Sequence, residues 1–175
     1  MLPETRESGQ VRLYRCIDFP GQWRFEKTLI DNVSAADPTL FTHNGKYWLF
    51  LSGVEWNASP DEELYLFTAD SPMGPWKPHA LNPVVADVRR ARPAGAIINR
   101  DGELFRPGQD CSTSYGAGIV LNRIDSLTDT EYRETPVRKL FFNNFEGAHT
   151  INHSEHFQCI DLRRSSSIFR LRGKP

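Results

Sequence analysis

An all-β chain built from propeller blades is what the sequence predicts, on three observations. Short apolar runs alternate with period two along most of the chain. Each run is bounded by Gly, Pro, Asn or Asp, the residues that turn a backbone. The runs then group into units of about 45 residues in which a tight turn recurs at the same phase, the pattern of four-stranded antiparallel blades.

The elements follow in order. VRLYRCIDF (11–19) and WRFEKTLI (23–30) alternate cleanly and are separated by Pro20-Gly21. TLFTHNGKYWLFLSG (39–53) is two strands around His43-Asn44-Gly45-Lys46, because Asn-Gly supplies the positive φ angles a two-residue hairpin needs. ELYLFTAD (63–70) is the next strand. GAIINRDGELFRPGQD (95–110) repeats the hairpin logic at Asn99-Arg100-Asp101-Gly102, and GAGIVLNRI (116–124) follows it. HTINHSEHFQCID (149–161) turns at the weaker signal His153-Ser154-Glu155-His156, and SIFRLRG (167–173) reads as a last strand. The stretch Ser126–Tyr132 is too short and polar for a helix and reads as a turn. NGKYWLF and DGELFRP share a hairpin phase, so 37–83 and 92–136 form two repeats. The chain accordingly divides into the end of one blade (1–33), two blades (34–88 and 89–140) and the start of a further one (141–175).

Charge narrows the function classes. With 21 basic and 22 acidic residues the net charge is -1, and the clusters Arg89-Arg90-Arg92 and Arg163-Arg164 form no basic stripe, so no nucleic-acid partner is expected. No apolar run is long enough to span a membrane, and MLPETRESGQ lacks the layout of a secretory leader. Cys16, Cys111 and Cys159 are odd in number and scattered, which points to reduced thiols in a cytoplasmic protein and to no metal site.

Particular phrases carry a family resemblance. SAADPTLFTHNGKYWLFLSG with ELYLFTADSPMGPWKPH resembles a blade of the five-bladed furanosidase-type propellers, which include arabinanases, β-xylosidases and levansucrases. MLPETRESGQVRLYRC, ARPAGAIINRDGELFRPGQDCSTSYGAGI and GAHTIN resemble more closely the propeller domain of glucosamine inositolphosphorylceramide transferases and of bacterial relatives linked to sugar formyltransferases. The resemblance runs over about residues 1–161. Five blades of about 45 residues need more than about 200, so an incomplete propeller is expected, completed by further blades or by self-association.

The ends of inner propeller strands converge on a central pocket, and five places supply polar groups there: Glu4, Asp37, Arg92, Gln109-Asp110 and His149. Carboxylates and a guanidinium suit the hydroxyls of a carbohydrate or nucleotide-sugar-derived ligand. Tyr115 and Trp56 are candidates for stacking on a sugar ring, whereas Trp48 and Trp76 read as core. Each has a plainer reading: Asp37 or Asp110 as a turn cap, Arg92 as a structural ion pair, Glu4 as a solvated charge, His149 as a rim group. No cofactor is expected. Glycoside hydrolysis needs an acid and a base or nucleophile. The resemblance implies that the acid sits where this chain reads ARPAGAII, without a carboxylate. Two readings follow. One is a non-hydrolytic carbohydrate-binding propeller accessory to glycan or glycolipid synthesis, within a glycosyltransferase system. The other is a glycosidase-like enzyme using Asp37 and Asp110 in a rearranged site.

Overall fold

The computed structural model describes residues 1–56, 59–142 and 144–164. Its strands form four consecutive antiparallel sheets. The first pairs β1 (Gln10–Asp18) with β2 (Gln22–Asp31). The second runs β3 (Ala36–His43), β4 (Lys46–Ser52), β5 (Glu63–Ala69) and β6 (Lys77–Pro78), with β7 (Val85–Ala86) also on β5. The third runs β8 (Ile98–Arg100), β9 (Glu103–Asp110), β10 (Gly118–Leu127) and β11 (Tyr132–Leu140). The fourth pairs β12 (Gly147–His153) with β13 (Gln158–Arg163). The helical content among the described residues is one 3-10 turn, Arg6–Ser8, and none of it is long or apolar enough to cross a membrane.

The expected turns are present. Asn44 and Gly45 take φ of 50° and 73°, and Asp101 and Gly102 take 53° and 86°, the left-handed pair of a two-residue hairpin. Ser154 N donates to Phe157 O at 2.8 Å to close the third. One correction is due. Tyr132–Leu140, left out of the expected strands, is β11. Its run of charges and Pro136 hide an edge strand, where a missing N–H is tolerated because no further strand needs it. The strand expected over 167–173 lies outside the described residues.

Period-two alternation packs the sheets face to face. On β4, Trp48 and Phe50 point to one side and Leu49 and Leu51 to the other. The first pair joins Leu64, Leu66, Val85, Leu127 and Tyr132 in a core between the second and third sheets. Leu49 and Leu51 meet Val11, Val33 and Phe67 between the first and second. Ala94, Ile119, Ala148 and Ile151 form the core between the third and fourth. The second and third sheets are thus blades with an apolar layer on either side, the first and fourth have one such layer each, and the sheets of the described residues do not close into a ring.

Candidate functional site

The start of β3 is bent so that Asp37 leaves the ladder. The register shifts between Ala36 and Thr39, and Asp37 takes φ 48°, a left-handed conformation that Asp tolerates better than most residues. Arg92 sits on an extended segment held beside β9. Gln109 N donates to Arg92 O at 2.8 Å, Ala94 N donates to Pro107 O at 3.0 Å, and Pro93 bridges Gly108.

These placements bring the side chains together. Arg92 Nε donates to Asp37 Oδ2 at 2.6 Å and Nη1 to Asp61 Oδ1 at 3.1 Å, while Nη2 lies 3.6 Å from Glu4 Oε2. Glu4 Oε2 also accepts from the backbone N of Asp37 at 3.2 Å. Gln109 Nε2 donates to Asp37 Oδ2 at 3.1 Å and to Pro93 O at 2.9 Å, leaving its buried Oε1 without a donor. The Tyr115 ring lies over the guanidinium, 4.8 Å from Cζ to centroid, a cation–π contact. Tyr115 OH hydrogen-bonds His149 Nε2, and His149 Nδ1 lies 3.5 Å from Asp161 Oδ2.

Glu4, Asp37, Arg92, Gln109, Tyr115 and His149, all expected from the sequence, therefore belong to one network. Asp110 does not join it. Its carboxylate accepts from Ser112 N at 2.9 Å and Ser112 Oγ at 2.6 Å, and pairs with Lys139. The second carboxylate on Arg92 is Asp61, which the sequence reading missed. The meander could have revealed it, because the β4–β5 connection returns to the same end of the sheet as the start of β3. Trp56 is half exposed against Gly9, whose absent Cβ would lie 3.0 Å from the indole.

Electrostatics follow from these contacts. Burial opposes charge on Arg92, but Asp37 and Asp61 outweigh it and hold the guanidinium above its usual range. Burial would raise Asp110, yet Lys139 and Ser112 outweigh it and hold the carboxyl below the ordinary range. Burial pushes the Tyr115 phenol up. It also pushes up the Cys111 thiol, which lies near Asp61 and Arg92, so thiolate chemistry is disfavoured there. The network can accept many hydrogen bonds, but its one cation is already spent on carboxylates. A cleft of about 920 Å³ lies elsewhere: between the third and fourth sheets, lined by Phe105, Leu121, Val137, Leu140 and Ile160. Within the polar network Glu4 and Tyr115 are exposed, while Arg92 and Gln109 are buried.

The comparisons agree with this architecture. Residues 1–169 match the family described as glucosamine inositolphosphorylceramide transferase 1, N-terminal. Among similar curated proteins is a glucosamine inositolphosphorylceramide transferase 1 of Oryza sativa subsp. japonica, 41% identical over 144 residues. The match covers 78% of this chain and 19% of that protein. The protein of the same name from Arabidopsis thaliana is 39% identical over 140 residues, covering 78% and 18%. The chain thus spans under a fifth of the length of these relatives.

Solved structures show the fold alone. The protein described as Xyloglucan PUL GH43B of Bacteroides ovatus superposes with TM-score 0.57 at 20% identity, covering 86% of this chain and 30% of that one. A family 117 glycoside hydrolase of Zobellia galactanivorans gives 0.53 at 19%, covering 73% and 41%. An alpha-L-arabinofuranosidase of Clostridium thermocellum gives 0.52 at 14%, covering 84% and 57%.

Proposed function

The chain belongs to the family of the N-terminal region of glucosamine inositolphosphorylceramide transferase 1, and from that premise we propose a carbohydrate-binding propeller that serves glycan or glycolipid synthesis without hydrolysing glycosidic bonds. The observation that carries it is the convergence of Glu4, Asp37 and Asp61 on the single guanidinium of Arg92. A glycosidase needs one carboxyl group kept protonated, in surroundings that raise its pKa, and a second one across the scissile bond. The Asp37 carboxylate is instead engaged as an acceptor by Arg92 at 2.6 Å and by Gln109 at 3.1 Å, and the other expected carboxyl, Asp110, is held low by Lys139 and Ser112. Carboxylate oxygens beside an exposed tyrosine ring suit sugar hydroxyls and a sugar face. The transferase activity in the relatives' names is, for this chain, part of the same proposal: the propeller would hold a glycan for a catalytic domain. The free cysteines accord with the cytoplasm as its proposed compartment, which imaging of a tagged protein checks.

The test is a nuclear magnetic resonance titration with mono- and oligosaccharides, run beside an aryl-glycoside assay. Binding that weakens about tenfold or more in Asp37→Ala and Arg92→Ala, with no turnover in any form, is the expected result. Turnover by the unaltered chain that disappears in Asp37→Ala would restore the glycosidase reading.

A further inference from the structure

Resting on the carbohydrate-binding reading, we infer that His149 and Asp161 are positioning residues that set the direction of the Tyr115 hydroxyl. While His149 is neutral they make that hydroxyl an acceptor for a sugar O–H, and once His149 takes up a proton they withdraw it from the ligand.

Backbone contacts bring the three side chains together. Ala148 N donates to Gly116 O at 2.8 Å, which holds the loop carrying Tyr115 against β12 beside His149. Gly116, at φ 64°, permits the approach, since a Cβ there would lie 3.0 Å from Ala148 O. Across the fourth sheet Ala148 pairs with Leu162 and Ile151 with Ile160, so His149 and Thr150 together stand against Asp161 alone. A bulge of this kind re-aims a side chain. His149 accordingly has Tyr115 OH on Nε2 and Asp161 Oδ2 3.5 Å from Nδ1, with the two rings 5.3 Å apart. Water reaches all of them: Tyr115 is 43% exposed, and the His149 and Asp161 side chains 35% and 65%.

The chemistry follows from which nitrogen faces which partner. An ionised carboxylate only accepts, so Nδ1 keeps its proton and Nε2 is the nitrogen that gains or loses one. With Nε2 bare, Tyr115 donates to it. The lone pairs of the phenol oxygen are then left to accept, and a sugar hydroxyl supplies the donor. With Nε2 protonated the bond reverses: the ring N–H donates into the phenol oxygen and the phenol O–H is released. The phenol is held up by burial, an effect that Arg92 opposes and that Asp37 and Glu4 reinforce. Those two carboxylates compete for the released O–H, so the ligand loses an acceptor and gains no donor. Cys111, also near the phenol, has its thiol pushed up by burial and adds no charge in the neutral range.

The experiment titrates the full chain with D-glucose, D-galactose and D-mannose between pH 5 and 8, while the His149 ring resonances report its charge. Ordinary carboxylates titrate below this range. Affinity should fall about threefold or more as pH drops through the His149 titration. Tyr115→Phe has no hydroxyl to reverse and His149→Gln has no proton to take up, so both should bind with constant affinity across the range. Asp161→Asn removes the charge that favours the imidazolium, so the step in affinity should move to lower pH together with the His149 resonances. A purely structural Asp161 would leave the midpoint in place. Unchanged thermal melting in the three variants keeps the result separate from misfolding. Affinity that is flat in the unaltered chain, or that steps equally in Tyr115→Phe, overturns the inference and leaves carbohydrate binding in place. No binding of any of the three sugars at any pH removes both.

Discussion

At the scale of single residues, the most tightly built feature is a buried ion pair away from the candidate site. Arg106 and Glu134 are 1% and 2% exposed and meet in a two-pronged contact, Nε to Oε2 at 2.7 Å and Nη2 to Oε1 at 2.7 Å. Tyr132 OH donates to the same carboxylate at 2.5 Å and Arg90 Nη1 at 2.8 Å. Burial would raise Glu134, but Arg106 outweighs it and the carboxyl is held below the usual range. Removing one partner strands a buried charge, so Glu134→Ala should cost about 3–5 kcal/mol, read by urea or thermal melts. A group whose folded pKa is depressed stabilises the fold above its unfolded pKa and loses that contribution as pH falls through the folded value. Stability should therefore decline as pH drops below about 4.3, more gently in Glu134→Gln than in the unaltered chain. Equal slopes would contradict this. Sequence reading reached Asp37, Arg92, Gln109 and His149 as polar groups near the ends of expected inner strands, and Tyr115 as an aromatic able to stack on a sugar. It missed Glu134 and Asp61, whose partners are distant in sequence and whose surroundings, RETPVR and SPDEE, read as solvated charge.

At the scale of elements, the contact between the third and fourth sheets depends on how closely two backbones approach. Ile151 N on β12 donates to Ala94 O at 2.8 Å, and Ala96 N donates to Asn152 Oδ1 at 3.0 Å. Gly95, between them, has φ 116°, and a Cβ there would fall 2.1 Å from Ile151 O. That oxygen belongs to a strand and cannot swing aside as a side-chain tip would. Gly95→Ala should thus destabilise by about 3 kcal/mol or more and loosen β12 from the third sheet. Gly102→Ala, at a positive φ but in open space, should cost only about 1 kcal/mol. Comparable melting losses for the two would show that backbone conformation, not close approach, sets the cost. The hairpins were legible because Asn-Gly and Asp-Gly state their own geometry. β11 was not, since an edge strand protected by charge and Pro136 resembles a loop in composition.

At the scale of the molecule, the question is what the open stack of sheets does in solution. Along β1, Val11 points into the core beneath the second sheet, so Tyr14 and Cys16, of opposite parity, point the other way. Their partners across the ladder are Phe25 and Trp23, and Tyr14 and Phe25 meet edge to face at 5.9 Å. Phe25 is 50% exposed and Trp23 36%, so the outward face of the first sheet presents aromatic surface to water. Covering what these rings expose would bury on the order of 300 Å². At about 25 cal/mol per Å² that is worth roughly 7 kcal/mol. Association costs about 4–15 kcal/mol in lost freedom, which absorbs most or all of the gain. The patch alone therefore supports weak contact, and the apolar cleft between the third and fourth sheets would have to contribute before tight assembly followed. Light scattering should show an average mass that rises with protein concentration, and Phe25→Glu should return it toward that of a single chain. A constant single-chain mass at all concentrations would show that these faces do not drive association. A rise that Phe25→Glu leaves untouched would place the contact on the cleft side of the stack instead.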